Sequence, residues 1–151
     1  MNGMTLQFDD FGYLLPYEVI PLDLATFERT FVLDAEREKL FRSLMDLVLD
    51  LKNLGAGSFY IWADGSFVTK KRVPRDIDLV VFVSLPAFNR IDTQLERLRA
   101  TFESSLDIFI EPDYPEEHPK YSETVRAFFK WKELFGYDRN NKRKGIIELR
   151  F

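Results

Sequence analysis

The sequence predicts an α+β domain, a small mixed β-sheet flanked by helices. Three observations predict it. An apolar stripe at helical spacing comes first, over residues 34–54. Short apolar runs of strand character follow at 59–63, 78–84 and 106–110. Two further amphipathic stretches, 87–102 and 121–135, interleave with them before a last apolar run at 145–151.

Residues 1–33 carry Gly12, Pro16 and Pro21 among scattered aromatics and leucines, which predicts an extended arm packed on the body, with a short helix near Asp23 to Phe31. The remaining residues, 34–151, form the main domain. In the first long helix Asp34 caps the N-terminus, and Glu36 and Glu38 suit the positive end of the dipole. Leu40, Phe41, Leu44, Leu47, Val48, Leu51 and Leu54 recur on one side, and Gly55 and Gly57 end the helix. Phe59 to Ala63 reads as a strand. The run from Asp78 to Ser84 is apolar at nearly every position, which predicts a strand covered on both faces, closed by Pro86. Ile91, Leu95, Leu98 and Phe102 mark one helix over 87–102. Leu106 to Ile110 is a third strand, Glu111 to Pro119 an acidic, proline-rich loop, and Val125, Phe128, Phe129, Lys132 and Phe135 lie on a third helix ended by Gly136. The polar turn Asp138 to Lys144 leads into the final strand.

The chain has 151 residues, enough for one domain with a sizeable core, and its 15 phenylalanines predict an aromatic interior. No apolar run approaches the length of a membrane span and no basic-then-apolar leader is present, so a cytoplasmic protein is expected. Cysteine is absent, which excludes disulfides and thiolate zinc sites. A net charge of −4 argues against a surface that grips nucleic acid everywhere.

The chemistry concentrates in two segments. Asp64-Gly65-Ser66 ends one strand, and Asp76-Ile77-Asp78 opens the next. Alternate strand residues share a face, so Asp76 and Asp78 project together while Ile77 enters the core. Side-by-side carboxylates resist joint ionisation unless a cation lies between them, and Mg2+ (or Mn2+) suits carboxylate and phosphate oxygens. The Gly65-Ser66 turn offers backbone N–H groups and a hydroxyl to a phosphate. If the strand of Asp107 lies beside that of Asp78, three aspartates converge in a way that suits in-line displacement by two metal ions about 3.5–4 Å apart. Glu111 shares Asp107's strand parity and is a rival third acid. Lys70, Lys71, Arg72 and Arg75 fill the spacer and can neutralise phosphate charge.

This pattern of strand, Gly-Ser, spacer, Asp-x-Asp and a later acid resembles the nucleotidyltransferase (polymerase-beta-like) superfamily. Gly65, Ser66, Asp76 and Asp78 match its motif, with Asp107 as the third acid, and the spacer is one residue shorter than the common form. Segments Phe11–Pro16, Phe27–Arg29, Asp64–Thr69 and Lys144–Leu149 are also similar to a bacterial family known only as a domain of unknown function. The resemblance implies a nucleotidyltransferase fold and Mg-dependent transfer of a nucleoside monophosphate from an NTP to a hydroxyl on protein or RNA. Asp76, Asp78 and Asp107 would bind metal, and Gly65, Ser66, Lys70, Lys71 and Arg75 the nucleotide. It further implies a toxin–antitoxin or phage-defence setting, with a cognate toxin as partner. The alternative is a non-catalytic module of the same fold that neutralises or scaffolds a partner protein.

The other polar residues carry weaker expectations. Asp64 caps the turn rather than ligating. Lys142, Arg143 and Lys144 form a solubilising turn or a second basic strip for RNA. His118, the only histidine, is an exposed loop residue, and Trp62 and Trp131 are packing residues.

Overall fold

The computed structural model describes residues 5–151, so the first four residues of the N-terminal arm lie outside it. The fold is α+β, with a five-stranded mixed sheet and a separate two-stranded ribbon. The ribbon pairs β1 (Gln7–Phe8) with β2 (Leu14–Leu15), antiparallel. The rest of the arm enters the body. β3 (Val19–Pro21) is an edge strand of the main sheet, and α1 (Leu24–Phe31), capped by Asp23, sinks Phe27 and Phe31 into the core.

Helix α2 (Ala35–Asn53) runs to β4 (Tyr60–Asp64), and a short 3₁₀ turn at Ser66–Val68 leads towards β5 (Ile77–Val83). The stretch expected as one helix over 87–102 is two, α3 (Leu85–Asp92) and α4 (Leu95–Thr101). Thr93 turns its hydroxyl back onto the Arg90 carbonyl at 2.7 Å, and Gln94 leaves the helical region at φ −106° and ψ 0°. Ile91 and Leu98 face the same core across the break, which is why the apolar period runs through it. Pro86 lies in the first turn of α3, where a missing N–H costs nothing. β6 (Leu106–Pro112) takes in two residues expected in the loop, Glu111 and Pro112, the latter at the end of an edge strand. Helix α5 (Tyr121–Phe135) and β7 (Ile146–Arg150) complete the chain.

The strand order is β3-β7-β4-β5-β6, with β3–β7 and β5–β6 parallel and the two central pairings antiparallel. The sheet lies between two layers. Ile77, Leu79, Val81 and Val83 pack with α1–α4 on one face, and Val80 and Phe82 meet Ala127, Trp131 and Phe135 of α5 on the other. β5 is thus covered on both sides, as its apolar run predicts. Phe67 of the 3₁₀ turn packs against Phe27 and Phe31 of α1, stacked on the first and tilted to the second, each ring buried. Each such ring stabilises the fold by about 1.5–3 kcal/mol. Among the described residues, no helix is long and apolar enough to cross a membrane.

Candidate functional site

Strand register brings the acids together. Asp78 is the cross-strand partner of Asp64 on one side and of Asp107 on the other. Neighbouring strands stand about 4.8 Å apart, so three carboxylates form a row across β4, β5 and β6 on the face that carries α5. Asp76 precedes β5 by one residue, half-buried, and lines the same cleft. Ile77 between the aspartates is fully buried in the opposite core. Burial first, and then the charges of Asp76 and Asp107, raise the Asp78 carboxyl to about 6. Joint ionisation of the row is therefore unfavourable, and the Lys144 ammonium offsets part of that cost.

Asp64 is more than a turn cap. Its side chain is buried, and one oxygen pairs with the Lys144 ammonium at 3.1 Å. The other oxygen, Oδ1, is buried with no hydrogen-bond partner among the described residues. Burial lifts this carboxyl to about 7 against the opposing pull of Lys144. Sequence reading missed the pair because it needs residues 80 positions apart, and only β4–β7 pairing brings them together.

Gly65 joins this floor to the loop above. Its φ of 83° and ψ of −171° fall in a region open essentially to glycine alone. Ser66, partly exposed, begins the 3₁₀ turn, and Thr69 closes it by bonding the Ser66 carbonyl through both its N–H and its hydroxyl. Lys70, Lys71 and Arg75 then line the same cleft as the acids. Arg72 does not: it lines a separate hollow behind the loop, beside Leu33 and Asp34. The cleft has a volume of about 1520 Å³, larger than a usual small-molecule pocket.

The remaining walls come from the chain's ends. The arm contributes Asp9 to Tyr13, and the Tyr13 hydroxyl donates to Asp138 at 2.7 Å, which pushes the phenol up to about 12. The C-terminal end of α5 contributes the apolar side chains of Trp131, Leu134 and Phe135.

Several sequence-singled residues sit elsewhere. Glu111 accepts from Lys130 and from the Trp131 indole at 2.9 and 3.1 Å, on the α5 face and outside the cleft, so Asp107 is the acid aligned with Asp78. Trp62 is buried and donates to Glu148, in keeping with a packing role. His118, expected to be exposed, is half-buried in its loop because its ring packs tilted against Tyr114, and it accepts from the Lys120 N–H. Lys142 lies over the Phe11 ring, Arg143 donates to the Tyr17 carbonyl, and Lys144 turns inward to Asp64, so these three residues form no common strip.

Among the described residues, no three or more His, Cys, Asp or Glu side chains are grouped closely enough to enclose a metal ion. The expected convergence of three aspartates is thus a shared rim rather than a ready-made cage. Magnesium does not require a cage. It is commonly carried by one or two carboxylates and the substrate's own phosphates. Asp76, Asp78 and Asp107 offer hard oxygens of that kind, with Asp78 already destabilised by its neighbours.

Over residues 6–150 the chain matches DUF6932, a family of unknown function. No curated protein matches it, and no solved structure does.

Proposed function

This chain belongs to the DUF6932 family of unknown function, and we propose that it is a nucleotidyltransferase, moving a nucleoside monophosphate from an NTP to a hydroxyl on a protein or RNA. The observation that carries this proposal is the register that sets Asp78 between Asp64 and Asp107, beneath Gly65 and within one cleft that also holds Lys70, Lys71 and Arg75. Acids on the floor and bases on the loop suit a substrate whose negative charge is bridged by a cation.

Mg2+ or Mn2+, held by Asp76 and Asp78 with Asp107 on the acceptor side, would neutralise the phosphates and sharpen the attacking oxygen. The chain's own residues do the rest. The Gly65–Ser66 turn and the side chains of Lys70, Lys71 and Arg75 hold the β- and γ-phosphates and stabilise the leaving group. The acceptor oxygen bonds to the α-phosphorus, the bond from that phosphorus to the β-bridging oxygen breaks, and pyrophosphate leaves with the electron pair. Asp107, exposed at the rim, takes the hydroxyl proton. In this proposal the acceptor is a cytoplasmic partner, such as the toxin of a toxin–antitoxin or phage-defence pair.

The test is incubation of the protein with each NTP labelled at the α-phosphate, Mg2+ and candidate acceptors. Label transfer that vanishes in Asp76→Ala with Asp78→Ala is the expected result. A second reading, a non-catalytic binding module, draws on Phe129 and Leu134, which α5 leaves 66% and 58% exposed. A double variant that transfers no label yet still neutralises the partner would favour that module.

A further inference from the structure

Arg37 stands in the first turn of α2, where a positive charge opposes the helix dipole, and it is only 4% exposed. Four backbone carbonyls accept hydrogen bonds from its guanidinium. One terminal nitrogen donates to Phe31 at 3.1 Å and Phe67 at 2.6 Å, the other to Thr69 at 2.9 Å and Lys71 at 2.7 Å. The guanidinium also lies 5.1 Å from the centre of the Phe67 ring. A buried charge at the wrong end of a helix is costly, and such conflicts gather where function requires them.

The acceptors alternate along the loop, at 67, 69 and 71. In a trans peptide the C=O and the following N–H point in opposite directions. Drawing these three carbonyls inward therefore turns the N–H groups of Val68, Lys70 and Arg72 away from Arg37. One of them is accounted for on that outer side, since Lys70 N–H donates to the Gly12 carbonyl of the arm at 3.1 Å. The loop is thus held from behind by a cation, and Lys70 and Lys71 line the cleft on its other side, with the Lys70 ammonium 4.9 Å from the centre of the Phe8 ring.

We infer that Arg37 is a positioning residue for phosphate binding. Its bidentate fork sets the backbone of Phe67 to Lys71 so that the loop and its two lysines meet the polyphosphate of an incoming nucleotide. Lysine cannot replace it, because a single ammonium cannot reach four carbonyls arranged around a planar fork. This role rests on the nucleotide reading of the site.

The experiment compares wild type, Arg37→Ala and Arg37→Lys in three measurements: binding of a non-hydrolysable NTP with Mg2+, binding of the same nucleoside without phosphates, and amide hydrogen exchange along 66–72. At least a tenfold loss of NTP affinity is expected in both variants, with nucleoside affinity unchanged and faster exchange confined to the loop. Methylguanidinium added to Arg37→Ala should restore part of the NTP affinity. Should Arg37→Ala fail to fold, Arg37→Lys decides alone. Variants that keep wild-type NTP affinity, or that lose NTP and nucleoside equally, would overturn the positioning role. A wild type that binds NTP no better than nucleoside would instead overturn the nucleotide reading, and the role of Arg37 with it.

Discussion

A Cβ built on Gly65 would stand 2.6 Å from the Oδ2 atom of Asp78. The two halves of the motif are therefore one device: the glycine exists so that the carboxylate of the next strand can sit against the turn. Gly65→Ala meets both a forbidden φ of 83° and this contact. It should cost about 1–3 kcal/mol in thermal or urea unfolding and displace Asp78. Calorimetry should then show at least a tenfold loss of Mg-dependent NTP affinity.

Asp78→Asn should stabilise the protein at alkaline pH while abolishing transfer. The Asp78 carboxyl is raised to about 6 by burial and by Asp76 and Asp107. A raised carboxyl favours the folded state while protonated, below its unfolded value near 4, and that contribution is lost as pH rises through 6. Removing the charge should gain about 1–2 kcal/mol at pH 8 after allowing for solvent screening, and nothing at pH 3. Urea unfolding of both proteins in EDTA at the two pH values checks this.

Lys144→Met leaves the Asp64 carboxylate buried without its cation. Breaking a buried pair from one side costs about 3 kcal/mol. The loss should be largest at pH 8 and shrink towards pH 5, because Asp64 without Lys144 takes a proton more readily still. Chemical denaturation of the variant across that range measures it.

Asp107 and Glu111 share a strand face but not a role. Asp107→Asn should remove label transfer and leave the melting temperature nearly unchanged, since its side chain is exposed. Glu111→Gln should retain transfer and lose less than about 1 kcal/mol, because the amide oxygen still accepts from Trp131. The label-transfer assay run on both variants separates them.

Much of this was legible in the sequence, because periodicity reports burial. The stripes of α2 and α5 and the apolar run of β5 locate elements that lie within a residue or two of those boundaries. The Asp107 register follows once β5 and β6 are known to be parallel neighbours, which needs the crossover through α3 and α4. What stayed hidden depends on long-range pairing. The Asp64–Lys144 contact joins residues 80 positions apart, and Arg37 reads as an ordinary helix-surface cation until its four carbonyl acceptors are seen. The arm is another such case: nothing local shows that Val19 to Pro21 will pair with β7.

The central claim is that the Asp78 row and the Lys70–Arg75 loop hold a nucleotide through a shared cation. Calorimetric titration of a non-hydrolysable NTP, with Mg2+ and with EDTA, tests it most directly. The account predicts saturable binding at least tenfold tighter with Mg2+, and no such gain in Asp76→Asn with Asp78→Asn. No uptake by the wild-type protein, or binding indifferent to the metal, would contradict it.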